Sequence, residues 1–176
     1  IKISNDWSLA VDATYSQIRN DQILRDITSE PYSQSEYVSN SDLWAVDAVA
    51  SGNVIELPAG FAKIAIGGHY RREKFSSGGV GRDLTRDGIR NVYAVFGEVA
   101  VPLVGASNER PGIQRLELNA SGRLDDYSDF GTTINPKVGL LWSPFDRFNL
   151  RGSYSTSFAP PSLGRVGALD RNANVF

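Results

Sequence analysis

The chain has 176 residues, with 18 Lys and Arg against 20 Asp and Glu, a net charge of −2, a single His and neither Cys nor Met. Without Cys there are no disulfides and no thiolate metal sites, and the near-balanced charge lacks the basic face of a nucleic-acid binder. No apolar run approaches the about 18 residues that a membrane-spanning helix needs, which leaves spanning strands open, since only their alternate residues face lipid.

Period-two alternation, the signal of a half-buried strand, recurs about seven times along the chain. The first segment, 7–16, places Trp7, Leu9, Val11, Ala13 and Tyr15 on one face and Ser8, Asp12, Thr14 and Ser16 on the other. The second, 42–52, carries Trp44, Val46, Ala48 and Ala50 in phase, and the third, 61–71, sets Ala62, Ile64, Ile66, Gly68 and Tyr70 against Lys63, His69 and Arg71. The fourth, 91–103, is apolar on both faces; Glu98 fixes its phase with Tyr93, Val95, Val99 and Val101 on the apolar side. The fifth, 115–126, sets Leu116, Leu118, Ala120 and Leu124 against Glu117, Asn119, Ser121 and Arg123. Val138, Leu140 and Trp142 mark the sixth, 136–143, and Phe148, Leu150, Tyr154 and Phe158 the seventh, 148–158.

The connections alternate in length. Residues 17–41, 72–90 and 127–135 read as long polar loops, whereas Leu57-Pro58-Ala59-Gly60 and Pro144-Phe145-Asp146-Arg147 are tight-turn sequences. The link at 104–114 is longer and departs from that alternation. Long loops at one end and short turns at the other are the layout of an outer-membrane barrel, with the first strand running outward. Aromatic residues of the apolar phase gather at strand ends, as at the two membrane interfaces: Trp7, Trp142 and Phe148 at the short-turn end, Tyr15, Trp44, Tyr70 and Tyr93 at the loop end. By strand count the same segments also fit an immunoglobulin-like sandwich. Segments of ten or more residues and the sorting of aromatics to strand ends favour the barrel. No leader pattern precedes these strands, and the chain reads as an internal segment of a longer protein, with Val175-Phe176 as a truncation point.

Several blocks stand in a fixed order. Leu57-Pro58-Ala59-Gly60 is followed by Ala65-Ile66-Gly67-Gly68-His69-Tyr70-Arg71-Arg72-Glu73, then by Val92-Tyr93-Ala94-Val95-Phe96-Gly97-Glu98 and Val101-Pro102-Leu103. Leu116 to Tyr127, Asn135-Pro136-Lys137-Val138-Gly139-Leu140 and Leu150-Arg151-Gly152-Ser153-Tyr154-Ser155-Thr156-Ser157-Phe158-Ala159-Pro160-Pro161-Ser162-Leu163 complete the series. Over roughly 42–165 this order resembles the barrel of TonB-dependent receptors, with His69 where Glu is frequent and Ala159-Pro160 where Arg-Ala is common.

The resemblance implies an all-β, antiparallel up-and-down transmembrane barrel of about 22 strands with a plugged lumen, of which this chain supplies about seven. Residues 1–176 are then part of the barrel domain, without the plug. The implied function is import of a scarce nutrient across the bacterial outer membrane: a siderophore, cobalamin, haem or an oligosaccharide. The implied partners are that ligand, outer-membrane lipid and the TonB energy-transducing complex, which acts through the plug; no cofactor and no nucleic acid is expected. A passive porin or a structural or adhesin barrel is the alternative. An outer-membrane hydrolase is a third reading, but the single His lies on the wall and forms no Ser/His/Asp set.

Candidate site residues are few. His69 lies on the polar phase beside Lys63 and Arg71, and a lone His makes no metal site. Asp125, Asp126 and Asp129 gather near an outer loop, but their spacing matches no calcium loop. Gly78, Gly79 and Gly81 lie between strands rather than between a strand and a helix, which is loop chemistry and not a phosphate cradle. Lys63, Arg71, Glu98, Glu117, Arg123 and Arg151 face the lumen and are expected to pair across strands or pack on a plug. For ligand contact the candidates are Arg82 and Arg86 in the 72–90 loop and Tyr127 and Phe130 in the 127–135 loop.

Overall fold

The computed structural model describes residues 6–26, 28, 33–79 and 82–165. The terminal Val175-Phe176 and Gly81 fall outside them. The fold is all-β. Seven strands run β1 (Trp7–Asp26), β2 (Ser33–Leu57), β3 (Gly60–Gly79), β4 (Arg82–Val104), β5 (Arg115–Tyr127), β6 (Gly131–Phe145) and β7 (Phe148–Ser155). They form one sheet in the order β1-β2-β3-β4-β5-β6-β7, every neighbouring pair antiparallel, curved into a half-barrel. This is the up-and-down topology expected from the alternating segments. No described helix is long and apolar enough to cross a membrane.

The long polar stretches are corrected by the structure. Most of 17–41 is not irregular loop: Gln17 pairs with Asp42 and the ladder continues to Asp26 opposite Ser33. Within 72–90, Arg72 pairs with Asn91 and the ladder continues, past one irregularity, to Gly79 opposite Arg82. The 127–135 stretch is a short turn at 128–130. Above a membrane neither face of a hairpin is buried in lipid, so hydrophobic alternation fades while backbone pairing persists. A reading based on alternation therefore stops where the apolar environment stops, not where the strand ends.

The register tests the face assignments residue by residue. Trp7 stands opposite Gly52, Val11 opposite Ala48, and Val46 opposite Tyr70. Ile64 pairs with Val99, Leu118 with Leu140, and Trp142 with Leu150. These pairings put Trp7, Val11, Trp44, Val46, Ile64, Ile66, Leu118, Leu140 and Leu150 on one face of a continuous sheet. That face is open: Val11, Ile66, Val95, Leu140 and Leu150 are all exposed. The opposite, concave face holds most of what is buried, including Ala45, Val92, Ala94, Tyr127 and Leu141.

Two aromatic rows bound the open apolar face. At the loop end Tyr15 pairs with Trp44, the Trp44 and Tyr70 rings lie 5.7 Å apart, and those of Tyr70 and Tyr93 lie 4.9 Å apart. At the short-turn end are Trp7, Trp142 and a Phe145–Phe148 stack at 5.3 Å. From Trp7 to Tyr15 the rows stand roughly 20 Å apart along the membrane normal, at ~3.3 Å per residue and ~40° of tilt. Trp7 also explains a glycine: a Cβ on Gly52 would lie 2.5 Å from the indole.

The short-turn end is tightly closed. Gly60 (φ 124°) and Arg147 (φ 69°) take up the left-handed backbone of their turns. The longer 104–114 link is ordered by its own polar groups. Asn108 accepts from the Gly105 amide at 2.8 Å and donates to the Leu103 carbonyl at 3.0 Å. Ser107 donates to the Pro58 carbonyl of the neighbouring turn, and the Trp142 indole N–H donates to the Gly112 carbonyl at 3.0 Å.

The open face yields a direct expectation. Ile66 is 59 % exposed midway between the aromatic rows. Ile66→Arg should cost about 2–4 kcal/mol in a bilayer, whereas Ser121→Arg on the concave face should leave folding nearly unchanged. Folded fractions of the full-length protein in vesicles, read by heat-modifiable gel mobility, check this; equal losses would contradict the assignment of faces.

Candidate ligand-facing wall and outer mouth

Alternate residues of every strand line the concave wall, and three of the ion pairs there run along a single strand. Arg71 lies 2.7 Å from Glu73, Arg115 2.6 Å from Glu117 and Arg123 2.7 Å from Asp125. Residues two apart on a strand share a face, so such pairs form without help from a neighbouring strand. The expected pairing of these groups across strands is thereby corrected for Arg71, Glu117 and Arg123. Lys63, Glu98 and Arg151 are exposed on the same wall. Glu98, Glu117 and Arg151 line a polar recess together with Asn119 and Lys137.

Phe96 packs across the wall. Its ring covers Gly67, where a Cβ would meet the ring at 2.3 Å, and the Arg123 guanidinium sits 5.6 Å from the ring centre. His69 faces the same side, and its Nδ1 lies 2.6 Å from Asp47 Oδ1 on the adjacent strand. No described group of three or more His, Cys, Asp and Glu residues could hold a metal ion. The acids of the 125–129 stretch diverge: Asp125 meets Arg123, Asp126 accepts from Thr132 at 3.1 Å, and Asp129 meets Arg90.

The densest polar cluster centres on Arg90, whose side chain is only 3 % exposed. Its Nε donates to both Asp129 oxygens at 3.0 and 2.9 Å, and its NH2 lies 2.8 Å from Asp129 Oδ2. NH2 also donates to the Pro161 carbonyl at 2.9 Å, NH1 reaches Glu73 at 3.4 Å, and the guanidinium lies 5.1 Å from the Phe130 ring centre. Asp129 and Glu73 supply the compensating charge that a buried guanidinium requires.

Arg90 thereby fastens the segment that follows β7. The sheet ends at Ser155, and Phe158 does not stay on the lipid face as the alternation suggested. It turns onto the concave side, 5.9 Å from the Tyr127 ring and 6.4 Å from that of Phe130. A Cβ on Gly88 would touch Leu163 at 3.3 Å, and one on Gly164 would touch Phe75 at 3.2 Å. The chain from 156 to 165 is therefore a strap that crosses back over β5, β4 and β3 inside the outer mouth. The two prolines at 160–161 cannot donate to a ladder, which fits a segment that leaves the sheet.

The ligand-contact candidates fall into two places. Tyr127 is 7 % exposed beneath Phe158, and Phe130 is 39 % exposed in the β5–β6 turn under Arg90. Arg86 is exposed on β4 opposite Ser77, on the concave phase. Arg82 stands opposite Gly79 at the start of β4, and its side chain is outside what the structure describes. The β5–β6 turn lies level with Asn91, whose amide bonds the Ser128 hydroxyl. Arg86 is five residues further up β4, or roughly 16 Å, so the arginines and the aromatics are not one constellation.

Arg90, Glu73, Asp47 and the strap were not identified as site elements from the sequence. Arg90 lay at the edge of an assumed loop, although it continues the phase of Val92 and Ala94 on the concave face. An Arg in step with a row of apolar residues that turns out to be buried was the available signal.

A family model, the TonB dependent receptor-like beta-barrel, matches residues 2–174. The chain belongs to this family. Comparison with curated proteins and with solved structures gives no match. The family match agrees with the up-and-down sheet, the aromatic rows and the order of the sequence blocks. The family is one of receptors and transporters rather than of enzymes.

The Arg90 cluster predicts a specific failure. Arg90→Ala leaves Asp129 and Glu73 without their cation and should destabilise the mouth by about 3–5 kcal/mol. Arg90→Lys should rescue little, because an ammonium cannot reproduce the bidentate fork. With a spin label on Ser162→Cys in the full-length receptor barrel, both variants should give a mobile spectrum where the parent is immobilised. An immobilised label in Arg90→Ala would show that Arg90 does not hold the strap.

Proposed function

We propose that the chain forms one arc of the barrel of an outer-membrane receptor that actively imports a scarce nutrient. The open apolar band between two aromatic rows carries this reading, because it is the surface that a bilayer covers. Among the described residues the sheet runs from β1 at one end to β7 at the other. We infer that further strands of the same barrel continue the sheet beyond β1 and β7, since a sheet edge left unpaired cannot lie in hydrocarbon. The curved polar wall then faces a plug, and force from the TonB complex on that plug drives release of ligand toward the periplasm.

The ligand enters from the end with the strap and the β1–β2 and β3–β4 ribbons. Phe130 and Arg86 are exposed there, Arg82 lies at a ribbon tip, and Tyr127 becomes reachable when Phe158 moves. A strap pinned by one buried Arg narrows the mouth, and such a narrowed mouth suits a gated receptor better than a permanently open pore.

Energy coupling separates this reading from a passive porin. Uptake by cells expressing the full-length receptor should fall at least tenfold when TonB is deleted or the proton gradient is collapsed. Replacing 76–86 by a short turn should weaken ligand capture while normal amounts reach the cell surface. Uptake independent of both TonB and the gradient would establish the passive pore instead.

A further inference from the structure

The β1–β2–β3 ribbon projects beyond the outer aromatic row, and its two faces differ in chemistry. The outward phase carries Arg19, Asp21, Arg25, Glu36, Asp42, Arg72 and Lys74, assigned by the register. The inward phase, above the level of Glu73, carries no charged residue among the described side chains of these three strands. It consists of Ile18, Asn20, Gln22 and Leu24 on β1, and Ser35, Tyr37, Ser39, Ser41 and Leu43 on β2. Phe75, Ser77 and Gly79 complete it on β3. Charge returns at its borders, with Arg86 opposite Ser77 and with Glu73 and Arg90 below.

A ribbon that is merely solvated has no reason to place its charges on one side only. Among the described side chains, charges are absent here from the side turned toward the path of an incoming ligand; Asp26, on the same phase, stands at the ribbon tip opposite Ser33. Asn20, Gln22, Leu24, Tyr37, Ser39 and Ser77 line a recess of about 300 Å³ on that side. The amides of Asn20 and Gln22 and the hydroxyls of Tyr37, Ser39 and Ser77 make no side-chain hydrogen bond to any described residue. The volume is at the lower end for a ligand pocket, the size of a subsite rather than a whole site.

We propose that this inward face is a subsite for a neutral oligosaccharide. Amides offer donors and acceptors side by side, which matches vicinal sugar hydroxyls that both donate and accept. The Tyr37 ring and the Leu24 side chain offer apolar surface for the C–H face of a sugar ring, and the tyrosine adds a polar tip. An anionic chelate would call for Lys or Arg lining the recess itself, and a cation for carboxylates, whereas Arg86 stands only at its border. The recess is lined from three neighbouring strands, β1, β2 and β3, so it can meet one sugar unit from several sides. The proposal rests on reading the chain as an import receptor and names the class of its ligand.

The test uses the full-length receptor in detergent, and the same receptor in cells. The probes are immobilised neutral oligosaccharides built from glucose, xylose or N-acetylglucosamine, with uronate-bearing chains of equal length as the charged counterpart. At least one neutral chain should be retained and its uronate counterpart should not. Asn20→Ala and Gln22→Ala should each weaken retention about fivefold, and Ser77→Asp, which puts a carboxylate in the recess in place of the hydroxyl, about tenfold. Heat-modifiable mobility should stay normal in all of them, because these residues lie outside the membrane span. Retention of no neutral chain, preference for the uronate chains, or unchanged retention in all three variants would overturn the subsite. TonB-dependent uptake of an iron chelate by the same cells, with no glycan bound, would overturn the subsite alone and leave the import function standing; loss of TonB dependence would bring down both.

Discussion

An amide or carbonyl in hydrocarbon has no water to bond, and each one left unpaired costs several kcal/mol. This constraint dictates the rest of the molecule. It requires that every strand crossing the membrane be paired on both sides, which selects the neighbour-to-neighbour antiparallel order seen from β1 to β7. Once the strands are paired, the two-residue period assigns each side chain to lipid or to the lumen. Val11, Ile66 and Leu150 then lie exposed without penalty, because lipid rather than protein covers them. A soluble sheet of this composition would bury the same residues against a second layer.

The concave wall obeys a different economy. On β3 and β5 charges are neutralised locally by i,i+2 partners, as in Arg71–Glu73 and Arg123–Asp125. Arg90 is held differently. It draws on β3 through Glu73, on the β5–β6 turn through Asp129 and on the strap through Pro161. One side chain thus couples three parts of the outer mouth, and a change in any of them is felt by the strap. The short-turn end is instead fixed by backbone conformation and local bonds at Gly60, Arg147 and Asn108. The two ends differ as a rigid inner rim and an adjustable outer one would.

Within the membrane span the sequence was legible because one solvent, lipid, reads every second residue. Trp44, Ile66 and Leu118 report that environment directly, and the aromatic rows report where it ends. Above the span the same period carries no hydrophobic signal, so Gln17 to Asp26 and Arg72 to Gly79 looked like loop although they are paired. Phe158 misled in the opposite sense. Its phase matched Leu150 and Tyr154, but the strand stops at Ser155 and the ring packs inward on Tyr127. Long-range contacts such as Arg90 with Pro161 join residues 71 positions apart and leave no periodic trace. The charge asymmetry of the ribbon was written in the sequence but became visible only once the register assigned its faces.

The central claim is that alternate residues of each strand face lipid and lumen. β5 offers nine successive positions, 116–124, in a segment that contains no Cys. Single cysteines at these positions in the full-length receptor, spin-labelled and reconstituted in bilayers, report collision with oxygen, which partitions into lipid, and with a water-soluble nickel chelate. Oxygen accessibility should peak at Leu116, Leu118, Ala120, Gly122 and Leu124 and fall at Glu117, Asn119, Ser121 and Arg123. Uniform accessibility along β5, or low oxygen accessibility on both phases, would contradict a strand that spans a membrane.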